Sequence, residues 1–431
     1  MASLYVESNE ENFSYVINKN PASGMSAKRI KKGYMFGYFS NENRYNIVFF
    51  DGADEISFSD RIKQEFEYLD YTRYNSPLFV FSTLKAFFHS SINSPNEFDH
   101  PGKYLLKITS IKIKKFALFE KFKEYFKDSF SIQTERIPHE HDNEEYNKYY
   151  NNYTLTLSVE NKTFYELINF TYVLSFFFII MNRIEFDINL DIIKKVIKSA
   201  NIIESPYYIK YLIKFFAIKR TEDFSKVKDE LNKDNHHVLN IKPYSNFDAR
   251  YADITNQLIG NKNIVDVGCG EGNYLKVAEK INNTYYAIDI DEEKRNIIKK
   301  KVDCYKLENV SILDSVESFF KQDADDYIVL MSEVIEHNEL NDVTSMIKMF
   351  FNDENCKKII ITTPNKDFNQ FYLLKDNETR YSDHKFEFTE QEAISYFTDI
   401  AKNTPFKLTI RHLGDEVDNI PTTLMIIFTA G

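Results

Sequence analysis

The stretch NIVDVGCGEGNYLKVAEKI, Asn263 to Ile281, decides the fold of the second half of this chain. It opens with an apolar, β-branched run, turns through closely spaced glycines, and ends with apolar groups at helical spacing: strand, tight turn, helix. Outward from it the rhythm repeats. NTYYAIDI reads as a strand and DEEKRNIIKKKV as a helix; VSILD and DYIVLMS are strands, NDVTSMIKMFF a helix, and KKIIITTPN a strand. FTEQEAISYFTDIAKNT is a helix whose Thr389 and Glu392 fit a capping box, and KLTIRHLG and TTLMIIFTA close as two strands. Strands alternating with helices of this length predict an α/β domain whose mostly parallel sheet is covered on both faces. The last two strands are expected to add an antiparallel edge.

Within the opening stretch, Gly268 and Gly270 let the backbone turn sharply and approach a ligand that a Cβ would keep away. The dinucleotide fingerprint spaces its glycines to admit a pyrophosphate. Here Asp266 would crowd that group and would suit an ammonium, a sulfonium or a hydroxylated sugar instead. Asp289 ends the second strand, where an acid accepts both hydroxyls of a ribose. Together these features resemble the first motif of the S-adenosylmethionine-dependent methyltransferases. The resemblance implies a class I, Rossmann-like methyltransferase domain in which Asp266 serves the methionine end of the donor, partly through water. Asp314, after the third strand, is the looser candidate for the adenine end. Cys269 reads as a small buried turn residue, since no histidine stands close in sequence to activate it.

A second constellation follows the strand DYIVLMS. In SEVIEHNELND, Ser332 to Asp342, Glu333, Glu336 and His337 are spaced i, i+3, i+4, which on a helical turn sets all three on one face. Adjacent carboxylates repel and call for an offsetting positive charge, which a divalent cation supplies, with histidine adding a nitrogen ligand. Zinc would prefer sulfur or more imidazole. Magnesium and manganese accept carboxylate oxygen, and manganese tolerates imidazole better. The remaining ligands are expected from another strand-end loop, and RYSDHKFEFTEQE, Arg380 to Glu392, offers His384.

EVIEH, TTPN with Asn369 just beyond it, and DHKFEFT resemble the RNA 3'-terminal 2'-O-methyltransferases, the family that caps small RNAs in eukaryotes. Matched by motif, that family's metal site of two glutamates and two histidines falls on Glu333, Glu336, His337 and His384, the expected catalytic set. Phe388 stands where the family usually has Trp, keeping an aromatic surface without the indole donor. Tyr381 stands where bacterial members usually have His, and cannot act as a ligand. Arg380 is a possible phosphate contact, with a surface arginine as the plain alternative. The bacterial members also carry an N-terminal region, and GYMFGYFSNENRYNIVFF, TRYNSPLF, YTLTLSV and ESPYYIKYLIKFF occur in the order expected of it. These proteins partner a polynucleotide kinase-phosphatase-ligase and mark broken RNA ends during repair. The chain shows no convincing kinase P-loop or ligase nucleotidyl-lysine motif, so a partner would bring those activities.

The implied reaction moves a methyl from S-adenosylmethionine to the 2'-OH of the last RNA nucleotide. That hydroxyl is far too weak an acid to ionise at neutral pH, and a divalent ion (manganese preferred, magnesium possible) would lower its pKa and fix its direction. If both terminal hydroxyls reach the ion, the site demands a free 2',3'-diol, which an internal nucleotide or DNA lacks. Two alternatives stand beside this reading: a metal-assisted methyltransferase of a small catechol or other diol, and a non-catalytic scaffold of a repair complex.

The 431 residues allow two or three domains. Residues 1–220 read as an α+β N-terminal region for accessory or partner-binding work, 221–250 as a charged, Asn-rich linker, and 251–431 as the methyltransferase domain. In the first part YNIVFF before Asp51-Gly52, KYLLKITSIKIKK and YTLTLSVE are strands, and PLFVFSTLKAFFHS, FALFEKFKEYF and ESPYYIKYLIKFFAIKR are helices. LINFTYVLSFFFIIM, Leu167 to Met181, is short for a bilayer span, carries Asn169 and Thr171, and is expected to be a buried helix. His139-Glu140-His141 has metal-like spacing but reads as an exposed loop. A net charge of -11 argues against a protein that coats nucleic acid non-specifically, though not against one that grips a few nucleotides. Cys269, Cys304 and Cys356 lie far apart, and with no signal peptide or membrane span in view a cytoplasmic protein with reduced thiols is expected.

Overall fold

The computed structural model describes residues 3–30, 33–50, 75–138, 151–184, 186, 188–218, 221–260, 262–375 and 377–431. The Asp51-Gly52 turn and the His139-Glu140-His141 loop lie outside the described residues. The chain divides into two compact units, Met1–Asn235 and His236–Gly431.

The first unit is built on a seven-stranded sheet of β1 (Ser3–Glu7), β2 (Ser26–Ile30), β3 (Gly33–Asn41), β4 (Arg44–Phe50), β5 (Gly102–Lys112), β6 (Ser131–Arg136) and β7 (Asn152–Lys162). Their order is β2-β3-β4-β1-β5-β7-β6, antiparallel throughout. Alternation along β5 and β7 turns Leu106, Ile108, Leu155 and Leu157 into the core. The helix Phe164–Met181 packs against both strands and against the helices Pro77–Phe87 and Leu190–Ile202. Thr163 and Glu166 close a capping box at its start. Every residue from Leu167 to Met181 is buried. The length and composition would suit a bilayer, but the apolar surface is spent inside this α+β unit.

The second unit carries β8 (Leu239–Asn240), β9 (Asn263–Val267), β10 (Tyr285–Ile288), β11 (Val310–Leu313), β12 (Tyr327–Ser332), β13 (Cys356–Pro364), β14 (Phe406–Val417) and β15 (Ile420–Ala430). They pair in the order β11-β10-β9-β12-β13-β15-β14-β8. The first five are parallel, while β15, β14 and β8 run antiparallel. Each face of the sheet has its own core, one around Val329, Ile361 and Phe428, the other around Leu330, Ile360 and Ile427. Burial on both faces is why the parallel strands read as unbroken apolar runs. From β9 the chain winds outward one way through β10 and β11, then returns to β12 on the other side. The strand order therefore reverses between β9 and β12, and the crevice at their carboxyl ends is where such sheets bind ligands.

Two local readings differ from the structure. The segment after the glycine turn is a six-residue 3-10 helix, Leu275–Lys280, not an α-helix. The stretch 221–250, whose sequence predicts a linker, folds as the short helices Thr221–Ser225 and Lys228–Leu231, then β8 and the start of the helix Asn246–Leu258. Helices of four or five residues bury only one or two side chains, such as Phe224 and Leu231, and present no period to read.

Candidate functional site

Three neighbouring parallel strands end in acids. Asp266 lies inside β9 and is fully buried, and Tyr285 of β10, also sealed, donates its hydroxyl to Asp266 Oδ2 at 2.5 Å. Burial pushes the Asp266 carboxyl up to about 7; the Tyr285 hydrogen bond opposes the rise and the charge of Asp289 adds to it. Asp289 follows β10 and is fixed by two backbone donors, Gly270 N–H to Oδ2 at 2.8 Å and Asp291 N–H to Oδ1 at 2.9 Å. Each oxygen keeps a second lone pair for a ligand hydroxyl. Asp314 follows β11, exposed, and Ser318 and Ser315 donate to it, which lowers its pKa. Ile290, 87% exposed beside Asp289, sets an apolar side chain at the lip of the crevice. Sequence reading passed it over; the only cue in the chain is an isoleucine between the two acids Asp289 and Asp291 at a strand end.

The glycines behave as the turn requires. Gly268 and Gly270 have φ of +66° and +54°, where an L side chain is strained. A Cβ on Gly268 would come within 2.7 Å of Val334 Cγ2, whereas one on Gly270 would point into open space. The turn after β9 therefore presses directly on the turn after β12. Cys269 is buried in this turn and burial drives its thiol well above the usual range, so it is no nucleophile.

After β12 the chain does not form the single helical face expected of Glu333, Glu336 and His337. Glu333 takes φ +56°, and only Ile335–His337 is helical, as a 3-10 turn. Glu333 is not in the group that converges here but is engaged by Arg250, from the helix Asn246–Leu258, which donates Nη1 to Glu333 Oε2 at 2.9 Å. Glu336, His337 and His384 do come together, one ligand atom from each lying within 4.8 Å of the others. The two imidazoles meet edge to face at 4.8 Å between centres. Glu336 is wholly buried; Thr363 of β13 donates its hydroxyl to Oε2 at 3.1 Å, while Oε1 has no partner among the described residues. Burial, then the charge of Glu333, pushes the Glu336 carboxyl well above its ordinary pKa.

Both histidines are oriented from behind. His337 Nδ1 lies 3.2 Å from Asp383 Oδ2, and His384 Nδ1 lies 2.6 Å from Glu387 Oε1. A ring with Nδ1–H donated to a carboxylate leaves Nε2 with its lone pair for a metal. Glu387, buried, also accepts from Arg380 N–H at 2.9 Å and from the Asn369 amide. Sequence reading missed Glu387 and Arg250, and the only cue to Glu387 was its i+3 spacing from His384. Arg380 is not the free phosphate contact considered for it. Its guanidinium donates to Asn369 Oδ1 at 2.8 Å and to the Asn365 carbonyl at 2.6 Å and lies over the Tyr372 ring, pinning the loop. Phe388 is likewise not a surface: it is buried against Phe386, Tyr396 and Phe397. Tyr381 is exposed beside His384.

A buried carboxylate oxygen without a partner, set beside two imidazoles whose outer nitrogens face acids, is a donor set that suits a divalent cation. Glu333 Oε1, buried and also without a partner among the described residues, is a further oxygen at the same strand end.

Comparison with known proteins agrees with this architecture. Residues 3–236 match the Hen1 N-terminal domain, and residues 244–401 match a methyltransferase domain family. A small RNA 2'-O-methyltransferase of Drosophila melanogaster is 29% identical over 165 residues, covering 33% of this chain and 41% of that protein. Another, from Tetrahymena thermophila, is 29% identical over 100 residues, covering 23% of each. The chain thus spans less than half the length of either relative. A solved structure described as the Pnkp1/Rnl/Hen1 RNA repair complex contains a chain with the same fold. It matches at a TM-score of 0.81 and 21% identity, over 99% of this chain and 100% of that one. A second structure of that complex matches at 0.79 over the full length of both chains.

Proposed function

The chain belongs to the Hen1 family, and on that premise we propose that it transfers a methyl group from S-adenosylmethionine to the 2'-OH of the 3'-terminal nucleotide of RNA. The observation that carries this reading is the convergence of Glu336, His337 and His384 at the end of β12, against the glycine turn that ends β9. One turn offers a cation site and the other a nucleoside site, side by side at the point where the strand order reverses.

Asp266 would face the ammonium of the donor, and Asp289, already fixed by Gly270 and Asp291, would accept from its ribose hydroxyls. Ile290 offers apolar surface to the flat base, and Asp314 lies within the same row of strand ends. S-adenosylmethionine supplies an electrophilic methyl on sulfur. Glu333, Glu336, His337 and His384 would hold a divalent ion, manganese better than magnesium given the mixed oxygen and nitrogen donors. Such an ion, when bound, lowers the pKa of a ribose hydroxyl and fixes its direction. The task of the chain is then alignment: the donor held by the β9 and β10 ends, the RNA terminus by the β12 turn and the His384 loop. The first unit, with the Hen1 N-terminal fold, is read as the part that works with a kinase-phosphatase-ligase partner in RNA repair, in a cytoplasmic setting.

Methyl transfer to synthetic RNAs ending in a 2',3'-diol, a 3'-phosphate or a 2'-deoxy sugar tests the proposal, with manganese and with excess chelator. Transfer only to the diol, lost in chelator, is the expected result. Modification of the 3'-phosphorylated RNA, or full activity in chelator, would overturn it.

A further inference from the structure

The two acids after β12 are not equivalent. Glu336 is sealed beneath the histidines, whereas Glu333 is held by Arg250 through a 2.9 Å ion pair, with 15% and 27% of the two side chains exposed. Among the described residues Glu333 Oε1 and Glu336 Oε1 are both buried and without a hydrogen-bond partner, and so is Arg250 Nε. The guanidinium is thus only partly satisfied by the groups around it. Its proximity also acts on the hydroxyl of Tyr274, which lies 3.1 Å from Ser332 at the end of β12. The charge of the partly exposed Glu333 acts unfavourably on the buried Glu336 carboxylate, and Arg250 is the cation that offsets it in the folded chain. A guanidinium cannot shed its proton, so it cannot become neutral when another cation approaches.

We propose that Arg250 is the built-in counter-ion of this site: it occupies Glu333 while no divalent ion is bound, and must yield that carboxylate when an ion binds. The inference rests on the cation reading of the site given above. Arg250 keeps the acid pair tolerable without metal, and thereby weakens the site's grip on metal. A residue that merely buttressed Glu333 in a liganding pose would act in the opposite sense, because its loss would loosen the ion. Direction therefore separates the two roles.

The test is manganese titration by calorimetry on the full-length wild type, Arg250→Met, Arg250→Lys and Glu336→Ala, with binding of S-adenosylhomocysteine as the check that each is folded. Arg250→Met is expected to tighten the manganese dissociation constant by about tenfold, the scale of one partly buried ion pair removed from the competition. Arg250→Lys, which keeps the charge, should stay within about threefold of wild type. Should the Met variant fold poorly, Arg250→Gln gives the same neutral comparison. Equal or weaker binding in the neutral variant, with binding still abolished in Glu336→Ala, would overturn the role of Arg250 and leave the cation site standing. No saturable manganese binding in wild type or in the neutral variant would remove the cation site, and this inference with it.

Discussion

Glu387 Oε1 stands 2.6 Å from His384 Nδ1, and both side chains are almost completely closed off from solvent. The contact fixes which nitrogen of His384 faces the crevice. Glu387→Gln should keep the shape but lose the charge, and manganese affinity should drop by about 10- to 100-fold, the usual loss when such a supporting acid is removed. Manganese titration of the variant, with donor binding measured alongside and expected to be unchanged, checks this.

The two halves of the crevice should separate under mutation. Glu336→Ala removes the buried carboxylate and should lower methyl transfer about a hundredfold, the scale of loss when reacting groups lose alignment. Donor binding should remain nearly intact. Asp266→Ala should weaken donor binding first. Calorimetry with S-adenosylmethionine beside a transfer assay resolves the pair, and equal loss of donor binding in both variants would mean the sites are wrongly divided.

Asp266 predicts a pH dependence. Its carboxyl is raised from an ordinary 3.8 to about 7, chiefly by burial, so across that interval the folded protein holds a proton that the unfolded chain releases. Its contribution to stability is full below the unfolded pKa and is lost as pH rises through about 7. A donor ammonium favours the carboxylate, so donor affinity should run the other way, strengthening as pH climbs through the same value. Titrations at pH 6 and pH 8 should show this slope in wild type and not in Asp266→Asn.

Gly268→Ala should destabilise the second unit by about 1–3 kcal/mol, because the residue sits at φ +66° and its new methyl would strike Val334. Denaturant unfolding of the variant measures the loss. Gly270→Ala, with open space for its methyl, should lose less.

Much of this was legible in the chain itself. The order of strands and helices in the second unit followed from apolar runs that a sheet buried on both faces must have, and Thr389 and Glu392 form the capping box their spacing suggests. Glu336, His337 and His384 could be singled out because acids and imidazoles at strand ends are chemically conspicuous, and the structure brings them together. What could not be read was orientation. The left-handed backbone of Glu333 breaks the helical face that its spacing implied, and no local pattern announces such a φ at a glutamate. Arg250 reaches Glu333 from a helix far away in sequence, and Arg380 turns inward to Asn365 and Asn369. Long side chains choose partners through tertiary packing, which sequence spacing does not encode.

The absence of a side chain at Gly268 leaves Val334 resting on bare backbone, so donor turn and acid turn share a common wall. Neither loop can be lengthened or reshaped alone without shifting its neighbour. A substitution at Tyr381, exposed beside His384, disturbs the packing less than one in this shared partition.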